Sequence, residues 1–246
     1  MKIKITLIGE SNIILPKGFN EIIQWFIYSS IKDEWLHDVG FLHGKRAFKL
    51  FCFSEILEKG HFNQKKRVFV FPNTISFIVS SPVDWILEKM AGGVFNNSLV
   101  NFGNNRLSLK EIAVLKSGKI DSSRIKVKTL SPIEVHTTFE ANGKKKTYYY
   151  NPKESDFSKL INENAKKKWT ALYGKNCPYE MKIKPKDKIR KRVVQFGQKN
   201  SYVIVNGYVG IFELVGRPEF LQFIIDAGLG SRNSQGFGMV EVIGGK

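Results

Sequence analysis

The most informative stretch of this chain is Gly228-Leu-Gly-Ser-Arg-Asn-Ser-Gln-Gly-Phe-Gly238. Two Gly-apolar-Gly units stand on either side of Arg232, and glycine lets a backbone approach a neighbour closely. The spacing predicts a nest of backbone amides for an anion, with further donors from Ser231, Arg232, Ser234 and Gln235. We interpret the stretch as a clamp for a phosphate backbone, and the alternative is a glycine-rich turn without a ligand.

The residues around this glycine-rich loop (228–238) distinguish it from nucleotide-binding loops. A Walker loop needs Gly-Lys-Ser/Thr, and a dinucleotide fingerprint needs a third glycine where this chain has Asn233. The order of elements is also reversed, because a helix is predicted before the loop at 218–227 and a strand after it at 239–243. The loop therefore does not indicate a nucleotide cofactor.

The charge of the chain indicates a polyanionic partner. Its formal net charge is +17 at pH 7, and 42% of its 246 residues are apolar, which is typical of a folded protein with a basic surface. No segment approaches the roughly 18 continuous apolar residues of a membrane span. Residues 1–10 alternate like a strand and lack a signal-peptide pattern. We therefore expect a cytoplasmic protein that binds nucleic acid rather than a membrane.

The cysteines and carboxylates point away from a metal or a disulfide framework. The only cysteines are Cys52 and Cys177, and neither belongs to a Cys-x-x-Cys pair. Both are expected to be packing or loop residues. Carboxylates are sparse and show no cluster typical of metal nucleases. We expect no cofactor and no metal site.

The pattern of apolar residues predicts an α+β protein with two similar halves. Residues 1–120 follow the β-α-β-β-α-β order of a ferredoxin-like domain. The predicted elements are strand 2–9, helix 18–31, strands near 47–54 and 67–80, helix 82–91 and a strand near 106–116. Residues 121–246 repeat the plan, and the boundary is expected at 118–123. Their predicted elements are strands 124–129, 132–140 and 146–150, helix 155–172, strands near 192–198 and 201–215, helix 218–227 and the last strand.

Further landmarks occur in a fixed order along nearly the whole chain, ahead of the glycine-rich loop. They are Leu36-His37-Asp38, Phe48-Lys49-Leu50-Phe51-Cys52-Phe53-Ser54, Val127-Lys128-Thr129-Leu130-Ser131-Pro132-Ile133 and Gly207-Tyr208-Val209-Gly210. In this combination the chain resembles the CRISPR-associated endoribonucleases that cut precursor CRISPR RNA at each repeat to release guide RNAs. The resemblance implies two tandem ferredoxin-like domains, the first with the catalytic residues and the second with the glycine-rich loop and a basic RNA-binding surface.

The resemblance also implies a reaction. The 2′-hydroxyl of CRISPR repeat RNA would attack the adjacent phosphate without a metal ion and leave a 2′,3′-cyclic phosphate and a 5′-hydroxyl. The RNA partner would be bound both as precursor and as processed guide. The alternative is a non-catalytic RNA-binding subunit of a CRISPR ribonucleoprotein complex. Contact with other CRISPR effector subunits and homodimerisation are left open.

Such a reaction needs a base, an acid and a positive charge, which a histidine, a tyrosine and a lysine supply. His37 follows the first predicted helix at the position where active family members carry their catalytic histidine. His43, in a loop further along, is the second candidate, because several members keep the histidine closer to the lysine. The resemblance assigns Lys49 to charge at the scissile phosphate and Tyr28 to orienting the 2′-hydroxyl or the histidine.

Tyr28 and His37 also have purely structural interpretations, and His43 could contact RNA beside the cut instead of catalysing it. Tyr28, predicted to point away from the apolar stripe of its helix, would then pack at the helix edge beside Trp25. His37 would interact with a helix end. Alternation places Lys49 on one strand face with Phe51 and Phe53. The other two histidines, His61 and His136, are expected to be structural or surface residues.

Residues 182–192 carry seven basic side chains and one acidic side chain, and alternation would place most of the basic ones on one strand face. A phosphate backbone would relieve their mutual repulsion. Lys144–Lys146 and Lys166–Lys168 are smaller basic runs that could be solubilising patches, and Phe237 is expected to plug the core. The predicted RNA-binding residues are Lys45, Arg46, Lys182, Lys184, Lys186, Lys188, Arg190, Arg192, Gly228, Gly230, Ser231, Arg232, Asn233, Gly236 and Gly238.

Overall fold

The computed structural model describes residues 1–97, 99–116, 118–198 and 201–244. The first half contains two long helices, a short helix and a set of mostly short strands. In chain order they are β1 (Lys2–Ile8), β2 (Ile13–Pro16), α1 (Asn20–Ile31), α2 (Glu34–Asp38), β3 (Phe41–His43), β4 (Arg46–Phe48), β5 (Cys52–Phe53), β6 (His61–Asn63), β7 (Val68–Phe71), β8 (Thr74–Ser80), α3 (Asp84–Phe95), β9 (Val100–Phe102) and β10 (Asn105–Leu115).

The second half contains two helices and a long antiparallel hairpin. Its elements are β11 (Arg124–Thr129), β12 (His136–Ala141), β13 (Lys144–Tyr149), α4 (Ser155–Tyr173), β14 (Met181–Gln198), β15 (Ser201–Gly216), α5 (Pro218–Ala227), a 3-10 turn (Asn233–Gln235) and β16 (Val240–Ile243). No helix in the described ranges is long and apolar enough to cross a membrane.

The two main sheets share one strand order. The first sheet runs β5-β8-β1-β10-β9 and the second runs β14-β15-β11-β16. Within each β-α-β-β-α-β unit, the second strand is therefore followed across the sheet by the third, the first and the fourth. This topology confirms the predicted pair of tandem ferredoxin-like folds. We propose that the domains meet at residues 118–123, between β10 and β11.

Each sheet buries an apolar core beneath its helices. In the first core, Ile23, Phe26 and Ile27 of α1 are fully buried, as the predicted stripe requires, and Phe26 packs edge-on against Phe77 of β8. The second core contains Phe157, Phe212 and the apolar face of α5. Full burial of one such side chain contributes roughly 1.5–3 kcal/mol, so these faces fix where the helices lie.

The prediction of one continuous strand over 47–54 is wrong, because residues 49–51 interrupt it. The chain leaves β4 after Phe48 and enters β5 at Cys52, and between them Leu50 has a φ of +49°. A left-handed residue breaks the alternation of a strand. As a result Leu50, Phe51, Cys52 and Phe53 are all buried, and Lys49 does not share a strand face with the two phenylalanines.

Two other strand boundaries also differ from prediction. Pro72 and Asn73 divide the expected strand 67–80 into β7 and β8, which belong to different sheets. Proline cannot donate a ladder hydrogen bond, so a strand ends there. The expected strand over 132–140 begins only at His136, because Ile133 and Glu134 make isolated bridges to β15 and to the glycine-rich loop.

The β14–β15 hairpin reaches from the second domain across to the first. Arg192 of β14 pairs with Glu55 at 3.2 Å, and the amide of Gly197 donates to the carboxylate of Glu21 at the start of α1. β14 is longer than the expected strand over 192–198, and its register shifts twice between Pro185 and Arg190. The hairpin therefore ties the two halves together.

Candidate active site and glycine-rich loop

Three of the predicted catalytic residues come together in the first domain. Tyr28 lies on α1, His37 on the short helix α2, and Lys49 in the turn after β4. The rings of Tyr28 and His37 are 4.9 Å apart and nearly perpendicular, and Nζ of Lys49 donates to the carbonyl of His37 at 2.7 Å. Nδ1 of His37 lies 2.6 Å from the Asp38 carboxylate. We call Tyr28, His37 and Lys49 the triad.

The triad lies at the margin between core and solvent. Tyr28 was predicted to point away from the apolar stripe of α1 or to pack at the helix edge. It is partly buried, and its ring packs edge-on against the ring of Phe51, with the ring centroids 5.5 Å apart. The side chain of His37 is 62% exposed. Phe51, on one side of Tyr28, is thus fixed in the core, while the imidazole of His37 on the other side is open to solvent.

Burial changes the pKa of two members of the triad. It raises the pKa of Tyr28 to about 12, and a hydrogen bond with Ser234 opposes the change in part. Burial also lowers the pKa of Lys49, against the attraction of Asp38. The phenol therefore keeps its proton at neutral pH and is available as a hydrogen-bond donor.

The Tyr28 pKa leads to a spectroscopic prediction. In a titration of phenolate absorbance, Tyr28→Phe is expected to remove a step near pH 12, whereas Tyr202→Phe, at an exposed position, should leave that step in place. Because the folded pKa is raised, the contribution of Tyr28 to the free energy of unfolding is complete below pH 10 and is lost as the pH rises towards 12. Equal steps for the two variants would contradict the burial of Tyr28.

His43 lies away from these contacts. It ends β3 at the tip of the β3–β4 hairpin, paired with Arg46, rather than in a loop as predicted. At about 3.3 Å per residue, the tip is roughly 10 Å from Gly40 at the hairpin base, next to Lys49. His43 instead lines an open cavity of about 610 Å³ with residues of α4, among them Lys159 and Lys166.

The glycines of the glycine-rich loop are required by close packing. A Cβ on Gly238, where φ is +78°, would lie 1.9 Å from the carbonyl oxygen of Leu229. A Cβ on Gly230 would lie 2.2 Å from the carbonyl of Glu134. The glycines at 228, 230, 236 and 238 are all buried.

Several amides of the glycine-rich loop donate to backbone carbonyls of the protein, so the expected nest of outward amides needs correction. The amides of Leu229 and Ser231 donate to Gly238 and Glu134, and the amide of Gly238 donates to Pro132. These bonds close the loop on itself and on its neighbours, which leaves fewer amides for a ligand. The partly exposed members of the loop are Ser231, Arg232, Ser234 and Gln235.

The loop lies against the first domain beside the triad. The Asn20 side chain of α1 donates to the carbonyl of Gln235 at 3.1 Å, and Ser234 meets the Tyr28 phenol. Asn233 is buried and donates to the carbonyls of Leu229 and Phe237 at 3.1 and 3.0 Å. The aromatic ring of Phe237 is fully buried, as predicted. The candidate site is therefore built from both halves of the chain.

The basic residues predicted over 182–192 lie on β14, but within the described ranges some of them are exposed without an ion pair and others pair with a carboxylate. Lys182 and Lys184 are exposed and alternate with buried positions of β14. Lys186 pairs with the nearly buried Glu213 at 3.2 Å, and Arg192 pairs with Glu55. Because the register of β14 shifts beyond Pro185, the predicted single basic face does not extend along the whole segment.

Two polar groups near the loop escaped the sequence analysis. Lys168 was grouped with a solubilising patch, but it is only 2% exposed and donates to two loop carbonyls. Glu134 is fully buried and bonds His136, which confirms that this histidine has a structural partner. A charged residue inside a basic run, or between apolar residues, gives no sequence signal of burial.

Across the described ranges, no group of three or more His, Cys, Asp or Glu side chains is arranged to hold a metal ion. The chemistry available in the triad is proton exchange by an imidazole, hydrogen bonding by a phenol and charge neutralisation by an ammonium group.

The chain is similar in sequence to known proteins over its full extent. Residues 115–242 match the family model described as CRISPR associated protein Cas6, C-terminal. The CRISPR-associated endoribonuclease Cas6 of Pyrococcus furiosus is 30% identical, over 94% of this chain and 85% of that protein. The CRISPR-associated endoribonuclease Cas6 1 of Methanocaldococcus jannaschii is 25% identical, over 98% of this chain and 92% of that protein.

The fold is also shared with solved structures. One of them, described as the characterization of a Cas6-related gene from Pyrococcus furiosus, superposes with a TM-score of 0.85. The superposition covers 100% of this chain and 99% of the other, at 22% sequence identity.

Proposed function

The chain belongs to the Cas6 family of CRISPR-associated proteins, and from this premise we propose that it is an endoribonuclease that binds CRISPR repeat RNA and cuts it to release guide RNAs. The proposed reaction is attack of a 2′-hydroxyl on the adjacent phosphate without a metal ion. Its products are a 2′,3′-cyclic phosphate and a 5′-hydroxyl.

The observation that carries this proposal is the contact of Tyr28, His37 and Lys49. An imidazole, a phenol and an ammonium group within one set of contacts provide the acid–base and charge functions of such a reaction. Because His37 is largely exposed while Lys49 holds its backbone, the imidazole is both positioned and accessible.

The roles follow from the surroundings of each group. His37 exchanges the proton of the 2′-hydroxyl or of the leaving oxygen, since imidazoles titrate near neutral pH. Tyr28 keeps its proton and orients the reacting hydroxyl or the imidazole. Lys49 stabilises the negative charge that develops on the phosphate. Ser234 would bring the glycine-rich loop next to the same phosphate.

The proposal is tested by incubating the purified protein with a repeat RNA from its source genome in EDTA. We expect one cut that leaves a 2′,3′-cyclic phosphate, and we expect no cut in an RNA with a single 2′-deoxy nucleotide before the scissile phosphate. Cleavage that requires added divalent ions would overturn the metal-free mechanism. Tight binding without any cleavage would instead support an RNA-holding subunit.

RNA binding by β14 leads to a separate prediction. Lys182→Ala and Lys184→Ala are expected to weaken repeat RNA binding and to reduce the slope of log affinity against log salt by about 0.7 for each lost phosphate contact. Filter binding at several salt concentrations measures this slope. Lys110→Ala, at an exposed position of β10, serves as the control. An unchanged slope in both β14 variants would remove this strand from the RNA-binding surface.

A further inference from the structure

Lys168 is a buried lysine of α4 whose side chain contacts the glycine-rich loop. It lies on α4 with 2% of its surface exposed, and its Nζ donates to the carbonyls of Gly228 and Gly230 at 2.7 and 2.8 Å. These two carbonyls belong to the first turn of the loop. Among the described residues, the hydrogen bonds of this lysine go to the loop carbonyls rather than to a carboxylate.

Burial of the Lys168 ammonium group lowers the stability of the fold. Burial removes the ammonium group from water, and burial lowers the pKa of Lys168 to about 7. A buried charge without a carboxylate partner carries a large desolvation penalty, which an apolar side chain of similar length would avoid. What the buried lysine provides is therefore its pair of hydrogen bonds to the carbonyls of Gly228 and Gly230.

The glycine-rich loop, which Lys168 contacts, lines one side of the candidate active site. On its far side, Ser234 meets the Tyr28 phenol and Asn20 holds the carbonyl of Gln235. A Cβ on Gly236 would lie 2.6 Å from the ring of Phe53, so the loop is pressed onto the first domain. Lys168 thus fixes one end of the loop, and the first domain receives the other end.

We propose that Lys168 is a positioning residue for RNA cleavage, which fixes the glycine-rich loop against the triad without touching RNA. The proposal rests on the proposed endoribonuclease function. Both the ammonium and the neutral amine have hydrogens for the two carbonyls, so the contact persists across neutral pH. Loss of both bonds releases the start of the loop, and with it the Ser234 contact of Tyr28.

The first test measures loop order independently of cleavage. In Lys168→Met, hydrogen exchange at the amides of Leu229, Ser231 and Gly238 is expected to become about 10- to 100-fold faster, as for loss of hydrogen bonds to a charged group. The single-turnover cleavage rate is expected to fall by a similar factor. The thermal midpoint is expected to change little, because removal of the desolvation penalty offsets the cost of leaving two buried carbonyls without a donor.

Lys153→Met, at an exposed position just before α4, is the control and should change none of these quantities. Wild-type exchange at the loop amides in Lys168→Met, or a cleavage rate that falls only together with the thermal midpoint, would overturn the proposal. If Lys168→Met does not fold, Lys168→Gln, which keeps an amide donor, should fold and exchange faster than wild type. A wild-type protein that cannot cut repeat RNA would refute the endoribonuclease proposal, whereas the exchange result would still report on Lys168.

The pH dependence of stability gives a second readout. Between pH 7 and the ordinary lysine pKa, the folded chain holds Lys168 neutral while the unfolded chain holds it charged. The unfolded state then binds more protons, so the free energy of unfolding rises with pH. The titratable group that acts on Lys168 is Cys52, and the charged groups around Cys52 are in turn Lys2, Asp226 and the amino terminus. Burial raises the pKa of Cys52 to about 12. From pH 7 to 9 we therefore expect this rise in wild type and its loss in Lys168→Met.

Discussion

Single-turnover cleavage of a repeat RNA is expected to slow by about 10²- to 10⁴-fold when His37 is replaced by alanine. The imidazole lies 4.9 Å from the Tyr28 ring and is anchored through its backbone carbonyl by Lys49. Its loss removes the proton-exchanging group while Tyr28 and Lys49 stay in the fold. Because the side chain is largely exposed, the variant should fold normally. Rapid-quench measurements with saturating protein report the chemical step alone.

His43→Ala is the matched comparison, because both residues are accessible histidines of the same domain. His43 lies beside α4 and outside the contacts of Tyr28. We expect a reduction of less than about tenfold, mostly in RNA affinity, as for loss of a peripheral contact. The opposite pattern, with a slow chemical step only in His43→Ala, would transfer the catalytic role to His43. The cut RNA would then lie in the cavity between the β3–β4 hairpin and α4.

Gly238→Ala is expected to lower the free energy of unfolding by about 3 to 5 kcal/mol. The added Cβ would lie 1.9 Å from the Leu229 carbonyl oxygen, in a backbone conformation with φ at +78°. That carbonyl cannot move freely, since the amide of Leu229 donates to Gly238 and the carbonyl accepts from Asn233. Urea unfolding monitored by tryptophan fluorescence measures the change.

Gly174→Ala separates the two causes of this loss. Gly174 ends α4 with a φ of +66°, but a Cβ there has no atom within 4 Å. Only the backbone strain applies, so we expect a loss of about 1 kcal/mol. The difference between the two variants is the contribution of close packing in the glycine-rich loop. Equal losses would mean that the loop is not packed as described and that its glycines serve conformation alone.

Regular periodicity made most of the fold predictable from the sequence. The buried residues of α1 recur at helical spacing, and the predicted helices over 18–31, 155–172 and 218–227 correspond to α1, α4 and α5. The two halves could be recognised as one plan because the order of elements repeats. Periodicity fails where the backbone changes direction within an apolar run, as at Leu50, whose φ of +49° has no signature in a leucine.

Tyr28, His37 and Lys49 could be named as candidates because the resemblance supplied their positions, and the sequence alone left two histidines open. Geometry distinguishes them, since α2 brings His37 to Tyr28 while the β3–β4 hairpin carries His43 away. The glycine-rich loop was singled out in the sequence as an anion nest, whereas in the structure its glycines are required by close packing. Glycines are needed both for anion nests and for tight packing, and only the contacts of Gly230 and Gly238 separate the two explanations.

The burial of Lys168 could not be predicted from the sequence. It stands between Lys167 and Trp169 in a basic stretch of α4, where an exposed side chain is the ordinary expectation. Its burial depends on where α5 and the following loop place two carbonyl oxygens, about sixty residues further along. Such a contact is a property of the tertiary fold and has no local pattern.

The junction between α1 and the glycine-rich loop has a consequence for protein synthesis. Asn20 and Gln235 are 215 positions apart in the chain, yet they share a hydrogen bond beside the triad. At a translation rate of about 5–20 residues per second, the first domain emerges from the ribosome well before residues 228–238 exist. A nascent chain that has already folded its first domain therefore still lacks the part of the candidate site that the glycine-rich loop contributes. In the proposed endoribonuclease, RNA cleavage would therefore begin only after residues 228–238 have been translated and have packed against α1.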